Sequence, residues 1–263
     1  MPLYLPELTA AAWQASIGDT VAFSGTEARH AAIVRRLGPG EAITLADGAG
    51  LALDGEIVTA DRDRVTVRVT GRRRARAPRP GLVLVQALGK GGRDELAVQS
   101  CTEAGVDAIV PWQASRCVSV WRDHKRETGR QRWASIAREA SKQSLRPRVP
   151  AVCPLHTTVG LVDAVTGRGR LALALVLDPE AQASLAELPL PADVDEIAVI
   201  VGPEGGIAPD ELARLRAAGA RGVRLGPTVL RTSSAGLAAI AVLSARLGRW
   251  TRRDAAGRGG RAE

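Results

Sequence analysis

The residue types that could do chemistry gather in the last quarter of the chain. Val201-Gly202-Pro203-Glu204-Gly205-Gly206 follows the apolar run EIAVIV at 196–201 and leads into Pro209-Asp210-Glu211-Leu212. An apolar run, a glycine loop and a segment with proline and acids in its first turn read as strand, loop and helix. In a parallel α/β sheet, the space outside a strand's carboxyl end is where ligands bind, and glycines let a backbone approach a ligand closely. The loop lacks the G-x-x-x-x-G-K-[ST] pattern of a phosphate loop, and Glu204 would repel a phosphate. A ligand that is neutral or cationic near the loop fits better, with a tight turn that simply needs glycine as the competing reading.

A second run has the same form. Val223-Arg224-Leu225-Gly226-Pro227 ends a strand at a break, and Leu230-Arg231-Thr232-Ser233-Ser234 enters the helix AGLAAIAVL. Thr232 is expected to cap that helix and Arg231 to sit just before it, so the two loops would offer backbone groups and a cation to one bound molecule. The helix is almost wholly Ala, Leu, Ile and Val around Gly236, which implies burial on most sides; a small-residue face packed against a second copy is the minority reading. Cys101, Cys117 and Cys153 are an odd count without a C-x-x-C pair. Neither a disulfide framework nor a zinc site is supported, and no metal is expected. His30, His124 and His156 suggest no chemistry.

The elements that position these loops can be read from the rest of the chain. Its 263 residues, 45% apolar, suffice for one large or two small domains. No apolar run reaches the roughly 18 residues of a membrane span, and the start MPLYLPELTAAAW lacks the order of a signal peptide, so a soluble cytoplasmic protein is expected. Short β-prone runs at 20–24, 42–46 and 65–69, broken by Gly38-Pro39-Gly40 and Asp47-Gly48, suggest a small barrel. One helix, 27–37, should interrupt them with Ala31, Val34 and Leu37 on its apolar face. From residue 81, the runs 82–88, 106–111, 171–177 and 196–201 alternate with helical patterns, the organisation of an α/β domain with a mainly parallel sheet. A long helix is expected over about 127–145, stopped by Pro147 and Pro150. Expected boundaries are a barrel domain over 1–73, a linker over 74–80, the α/β domain over 81–250 and a disordered tail over 251–263.

Charge narrows the class of partner. Thirty-six basic residues against 28 acidic leave a net +8, which suits a polyanion. Arginine abundance by itself could follow base composition, but its placement is clustered. The stretch RDRVTVRVTGRRRARAPR at 62–79 has one acid, Asp63. A stripe of this kind fits nucleic-acid backbone better than a solvated linker. The basic region 122–148 reads equally well as a solvated helix face or as a second contact.

VGPEGGIAPDEL followed by RLGPTVLRTSSAGLAA resembles the RsmE family of ribosomal RNA (uracil-N3)-methyltransferases, of the SPOUT superfamily. The stretches 87–117, 132–150 and 29–50 are similar to the family's other blocks. The resemblance implies an N-terminal PUA-like β-barrel that grips RNA and a C-terminal SPOUT domain with a deep trefoil knot, acting as a homodimer. It implies S-adenosylmethionine as cofactor and a uridine of 16S ribosomal RNA, free or in the assembled 30S subunit, as target. The implied cofactor site is Gly202, Pro203, Glu204, Gly205 and Gly206 with Leu225, Gly226, Pro227, Val229, Leu230 and Thr232. Relatives commonly read LGxRILRTET, so Thr228 and Ser233 depart from the pattern, as does Lys142 where an acid is common. Arg231 is then the loop's cation, expected to stabilise charge developing on the uracil oxygens, with Glu204 or a water taking the N3 proton. Arg35, Arg36, Arg72, Arg73 and Arg74 are expected to contact RNA. The alternatives are a ribose 2′-O-methyltransferase of the same superfamily, and a non-catalytic RNA-binding assembly protein.

Overall fold

The computed structural model describes residues 1–168, 173–191 and 193–251, and they divide into two compact units. The first comprises Met1–Ala77 with Ser141–Val149, and the second Pro78–Ala140 with Pro150–Thr251. Apart from Thr251, the expected tail lies outside the described residues.

The first unit is built on strands β1 (Leu3–Tyr4), β2 (Thr20–Ser24), β3 (Ala42–Ala46), β4 (Leu51–Asp61) and β5 (Arg64–Arg74). They form a sheet in the order β1-β3-β4-β5-β2, antiparallel except for the β1–β3 pair. The runs expected at 20–24 and 42–46 are β2 and β3 to the residue. The run at 65–69 continues as strand through Arg74, since Arg72, Arg73 and Arg74 pair with Leu53, Ala52 and Leu51. Arg74, the first residue of the expected linker, is therefore a ladder residue. Inward side chains of alternating positions, Val65, Val67 and Val69 among them, pack with Tyr4, Phe23, Ile43, Leu45 and Leu53. The expected helix over 27–37 is instead one turn, α1 (Thr26–Arg29), continued by a wide turn over His30–Val34. Ala31 is buried as expected, but Val34 is 67% exposed. The widened turn rotates it off the apolar face.

The second unit contains β6 (Gly81–Ala87), β7 (Ala108–Gln113), β8 (Ala151–Val152), β9 (His156–Thr157), β10 (Leu173–Leu177), β11 (Glu196–Val201) and β12 (Arg221–Val223). All pairings are parallel, in the order β12-β10-β11-β6-β7-β8, with β9 also on β7. The central strands β6 and β11 are near-continuous apolar runs because both faces of the sheet are covered. Leu171 and Ala172 of the run expected at 171–177 lie outside the described residues. The helices are α2 (Arg93–Ala104), α3 (His124–Gln143, whose last three residues belong to the first unit), α4 (Thr158–Asp163), α5 (Pro209–Ala217) and α6 (Thr232–Arg246). On one face of the sheet, Val98 and Cys101 of α2, Trp133 and Ala137 of α3 and Ala239, Ile240 and Leu243 of α6 pack on Leu82, Leu84, Val199 and Val201. On the other face, α4 and α5 contribute Leu161 and Leu215 beside Val83, Val85 and Ile200. Helix α6 comes very close to the sheet. A Cβ on Gly236 would lie 2.9 Å from Leu84 Cδ1 and 3.2 Å from Cys101 Sγ, so glycine is required by contact distance, not by dihedral angle.

Candidate active site

The carboxyl ends of β10, β11 and β12 are neighbours in the sheet, and the chain leaves each through a loop that must turn toward a helix or a neighbouring strand. Between these loops lies a cleft of about 630 Å³. Gly202, Pro203, Glu204 and Gly206 line it from the loop after β11. Leu225, Gly226, Val229, Leu230, Arg231 and Thr232 line it from the loop after β12. Two runs some twenty residues apart thus form a single site. Gly205 and Pro227 are not on the cleft wall. Gly205 faces the other way, where its Cβ position would lie 3.4 Å from Arg116 Cβ.

Thr232 joins the two loops. It is the first residue of α6, and the capping position falls one residue earlier, on Arg231, whose side chain makes no cap bond. The buried Thr232 hydroxyl donates to Gly202 O at 2.8 Å and accepts from Gln86 Nε2 at 2.9 Å. Its expected capping role is therefore replaced by a cross-link from α6 to the end of β11 and to β6. A threonine beside a helix start signals a cap in sequence, and only the neighbouring carbonyl of Gly202 redirects its proton.

Glu204 lies at the rim. Its Oε1 accepts from Lys90 N at 3.1 Å and from Arg93 Nη1 at 3.2 Å. Partial burial would raise its pKa, but its own backbone amide, Lys90 N and Arg93 together hold the carboxyl below the usual carboxylate range. Beneath the loop, Glu211 of α5 is 4% exposed. It accepts from Ser115 N at 2.9 Å, Ser115 Oγ at 2.8 Å and Thr158 Oγ1 at 2.5 Å. Burial pushes its pKa up, and these donors with Ala208 N overcome that and keep it low. Glu211 is thus an internal fastener for the segment that leaves the glycine loop. Arg231 is exposed and lines the cleft, with no side-chain partner among the described residues.

Several cleft residues carried no signal of their own. Leu177 ends β10, Asp178 and Pro179 follow it, and Arg93 begins α2. The end of the apolar run at 177 was visible, but its adjacency to β11 and β12 depends on strand order. Asp178 is held in place by Arg216 Nη2 at 2.7 Å. Arg224 is turned back onto Ala181 O and Gln182 O at 2.9 and 2.8 Å.

The basic residues of the first unit are distributed by strand alternation. Arg72 Nη2 donates to Gln14 Oε1 at 3.2 Å, whereas Arg73 Nε pairs with Asp54 Oδ2 at 3.0 Å. Arg72 and Arg74 thus share one face of β5 and Arg73 lies on the other. Arg35 and Arg36 are exposed just after the wide turn. In the region 122–148 much of the charge is neutralised internally: Arg130 pairs with Glu127, Arg132 with Glu95 and Lys142 with Glu27. Among the described residues no helix is long and apolar enough to cross a membrane, and no group of three His, Cys, Asp or Glu side chains is placed to hold a metal ion.

Comparison with known proteins agrees with this geometry. Residues 76–244 match the model of an RNA methyltransferase domain, and residues 23–70 that of an RNA methyltransferase PUA domain. A ribosomal RNA small subunit methyltransferase E of Mycobacterium bovis is 42% identical over 234 residues, 89% of each chain. One from Bacillus subtilis is 30% identical over 251 residues, 93% of this chain and 96% of that one. Among solved structures, a ribosomal RNA small subunit methyltransferase E from Neisseria gonorrhoeae bound to S-adenosyl methionine superposes with a TM-score of 0.79 at 29% identity. That match covers 94% of this chain and 98% of that one. A putative methyltransferase from Legionella pneumophila, in complex with the same cofactor, gives 0.77 at 27% identity over 93% and 96%.

Proposed function

Because the chain belongs to the ribosomal RNA small subunit methyltransferase E family, we propose that it transfers a methyl group from S-adenosylmethionine to N3 of a uridine in 16S ribosomal RNA. The observation that carries this reading is the single cleft formed by the loops 202–206 and 225–232 and joined by Thr232. The residues present fit the cofactor. No heavy atom lies within 4 Å of a Cβ placed on Gly226, so a flat ring can lie against that backbone. The cleft is lined by two acids, Glu204 and Asp178, and by Arg93, Arg224 and Arg231, a mixture of signs that suits a ligand carrying both a cationic sulfonium and a carboxylate. Loop residues Gly202, Pro203, Glu204, Gly205 and Gly206 would hold the cofactor from one side. Leu225, Gly226, Pro227, Val229, Leu230 and Thr232 would hold it from the other, with the backbone of Leu225, Gly226 and Leu230 reading the adenine. Gly205 and Pro227 act through loop shape, since neither lines the wall.

When bound, S-adenosylmethionine supplies an electrophilic methyl carbon. The protein's task is to orient the uracil so that N3 attacks in line, and to stabilise the anion formed as the imide proton leaves. Arg231 serves the second need: it is exposed into the cleft, and its charge is not neutralised by a described side chain. Glu204, held ionised by Arg93 and Lys90, is a weak base. We assign it to positioning the loop, and the proton to water. The target must be unpaired or drawn from its stack, because N3 lies on the pairing edge.

The first unit grips flanking RNA through Arg35, Arg36, Arg72, Arg73 and Arg74, with free 16S RNA or the 30S subunit as substrate. The enzyme works in the cytoplasm as a homodimer with a knotted second domain. Support for pairing comes from the outward face of α6, where Ser234, Ala238, Ala241 and Ala245 permit close approach of a second copy. The test is to incubate the protein with methyl-labelled cofactor and small subunits lacking the modification, then digest the RNA and identify the nucleoside. Labelled 3-methyluridine is expected, and label on a ribose oxygen or none at all would overturn the reading.

A further inference from the structure

Three segments distant in sequence meet at one lip of the cleft, all within the second unit. The turn Gly89–Arg93 leads into α2, the stretch Ser115–Ser119 follows β7, and the loop Gly202–Gly206 follows β11. Glu204 Oε1 accepts from Lys90 N at 3.1 Å and Arg93 Nη1 at 3.2 Å. Arg116 Nη1 donates to Gly205 O at 3.1 Å, and Ser119 Oγ donates to Gly89 O at 2.6 Å. The glycine loop therefore fixes two arginines, each by one guanidinium nitrogen. Among the described residues, the other nitrogens of both meet no protein acceptor, and Lys90 Nζ has no ion pair. Lys90, Arg93 and Arg116 are all exposed. Asp94 and Glu211 also bond to these segments, accepting from Gly89 N and from Ser115, but both are buried; Glu204 is the acid that meets the exposed cations, so the exposed lip keeps a positive excess.

A cation cluster held at this lip needs an anionic partner, and two are chemically available: an RNA phosphate or the carboxylate of the cofactor. Arg93 lines the cleft, but Arg116 touches the back of Gly205 outside it, so a carboxylate inside the cleft meets at most one of the two arginines, whereas phosphates at the lip reach both. A uridine entering base-first leaves its own two phosphates outside, at the lip. Guanidinium forks suit phosphate oxygens geometrically. We propose that Lys90, Arg93 and Arg116 form a phosphate clamp for the nucleotides flanking the target, aligned by the same loop that holds the methyl donor. This rests on the reading that the substrate is RNA, and it adds a contact surface in the catalytic unit to the one expected in the first.

The experiment measures binding of unmodified small-subunit ribosomal RNA, transcribed in vitro, to the full chain across a salt series. The variants are R93Q, R116Q, the double variant and the charge-preserving R93K/R116K, with cofactor affinity measured by calorimetry on each. Each single loss is expected to weaken RNA binding about fivefold and to reduce the slope of log affinity against log salt by about 0.7. The double variant should lose about twice that slope, and R93K/R116K should recover most of it. Unchanged RNA affinity and slope in the glutamine variants would overturn the proposal, as would weakened cofactor binding with RNA affinity intact, which would assign these cations to the cofactor carboxylate. Weaker RNA binding at an unaltered slope would also overturn it, leaving only a role in loop shape. Since the readout is RNA affinity, a wild-type product other than 3-methyluridine would sink the proposed reaction without touching this result.

Discussion

Arg231 stands at a helix start where the backbone dipole already favours negative charge, and its side chain extends into the cleft. Replacing Arg231 by Ala should lower kcat by about 100-fold or more while leaving cofactor affinity within about threefold, because its interaction strengthens only as the uracil anion forms. Single-turnover rates and cofactor calorimetry check this, and undiminished turnover removes Arg231 from the mechanism. Glu204 presents the opposite case. Its carboxylate is occupied by Lys90 N and Arg93, so Glu204→Gln should raise the cofactor KM a few-fold and leave the shape of the pH–rate profile alone. Disappearance of an acidic limb in the variant would make Glu204 the base. The loop identities of both residues could be read from residue type and spacing. The partner Arg93, 111 positions away from Glu204, could not, because no local pattern links a helix start to a later loop.

At the scale of elements, α5 and α6 anchor the two loops by different means. Helix α5 is fastened through Glu211, whose lowered pKa gives a stability contribution that is complete above about pH 4.5, the value expected of an unfolded glutamate, and lost as pH falls through the lower folded value. Acidification should therefore destabilise the wild type more than Glu211→Gln over that range. At neutral pH the substitution should cost about 1–3 kcal/mol, as judged by denaturant unfolding. Equal acid sensitivity in both would remove Glu211 from the account. Helix α6 is fastened by close approach, so Gly236→Ala must displace Leu84 or Cys101 and should cost about 1–3 kcal/mol, even though alanine is the better helix former. A rise in melting temperature would show that the contact yields. The apolar character of α6 and the glycine within it were evident from sequence. Which neighbour the glycine admits depended on the order of β6 and β11 in the sheet.

For the whole molecule, charge placement sets how RNA is held. Strand alternation splits the arginine run: Arg72 and Arg74 share a face, and Arg73 is partly neutralised by Asp54. Neutralising Arg35, Arg36, Arg72 and Arg74 together should weaken RNA binding and flatten its salt dependence by about 3, whereas Arg73→Gln alone should do less than Arg72→Gln alone. Equal effects of the two single changes would mean that the strand face does not matter. Lys142, which departs from the commoner acid, is 7% exposed and lies 2.9 Å from Glu27 Oε1 within the first unit. Lys142→Met would leave the largely enclosed Glu27 carboxylate without that partner. It should cost about 3–5 kcal/mol, measurable by thermal unfolding, and a loss below about 1 kcal/mol would show the pair to be dispensable.

Sequence by itself determined the elements that depend on local periodicity, β2, β3 and β11 to the residue, the parallel α/β character of the second unit and both glycine loops, and the motifs in those loops carry the family resemblance that implies the reaction. These signals lie within a few turns or one strand of chain, and a short motif carries them whole. It misjudged Arg74 as linker, Val34 as inward-facing and Thr232 as a cap, because each depends on which distant backbone lies alongside. Tertiary structure alone decided that the loops after β11 and β12 close one cleft, that Glu204 is tied to Arg93, and that Arg116 stands behind Gly205. Those facts follow from strand order and long-range pairing, which a linear sequence does not display because neighbours in space there are separated by some twenty to more than a hundred residues of chain.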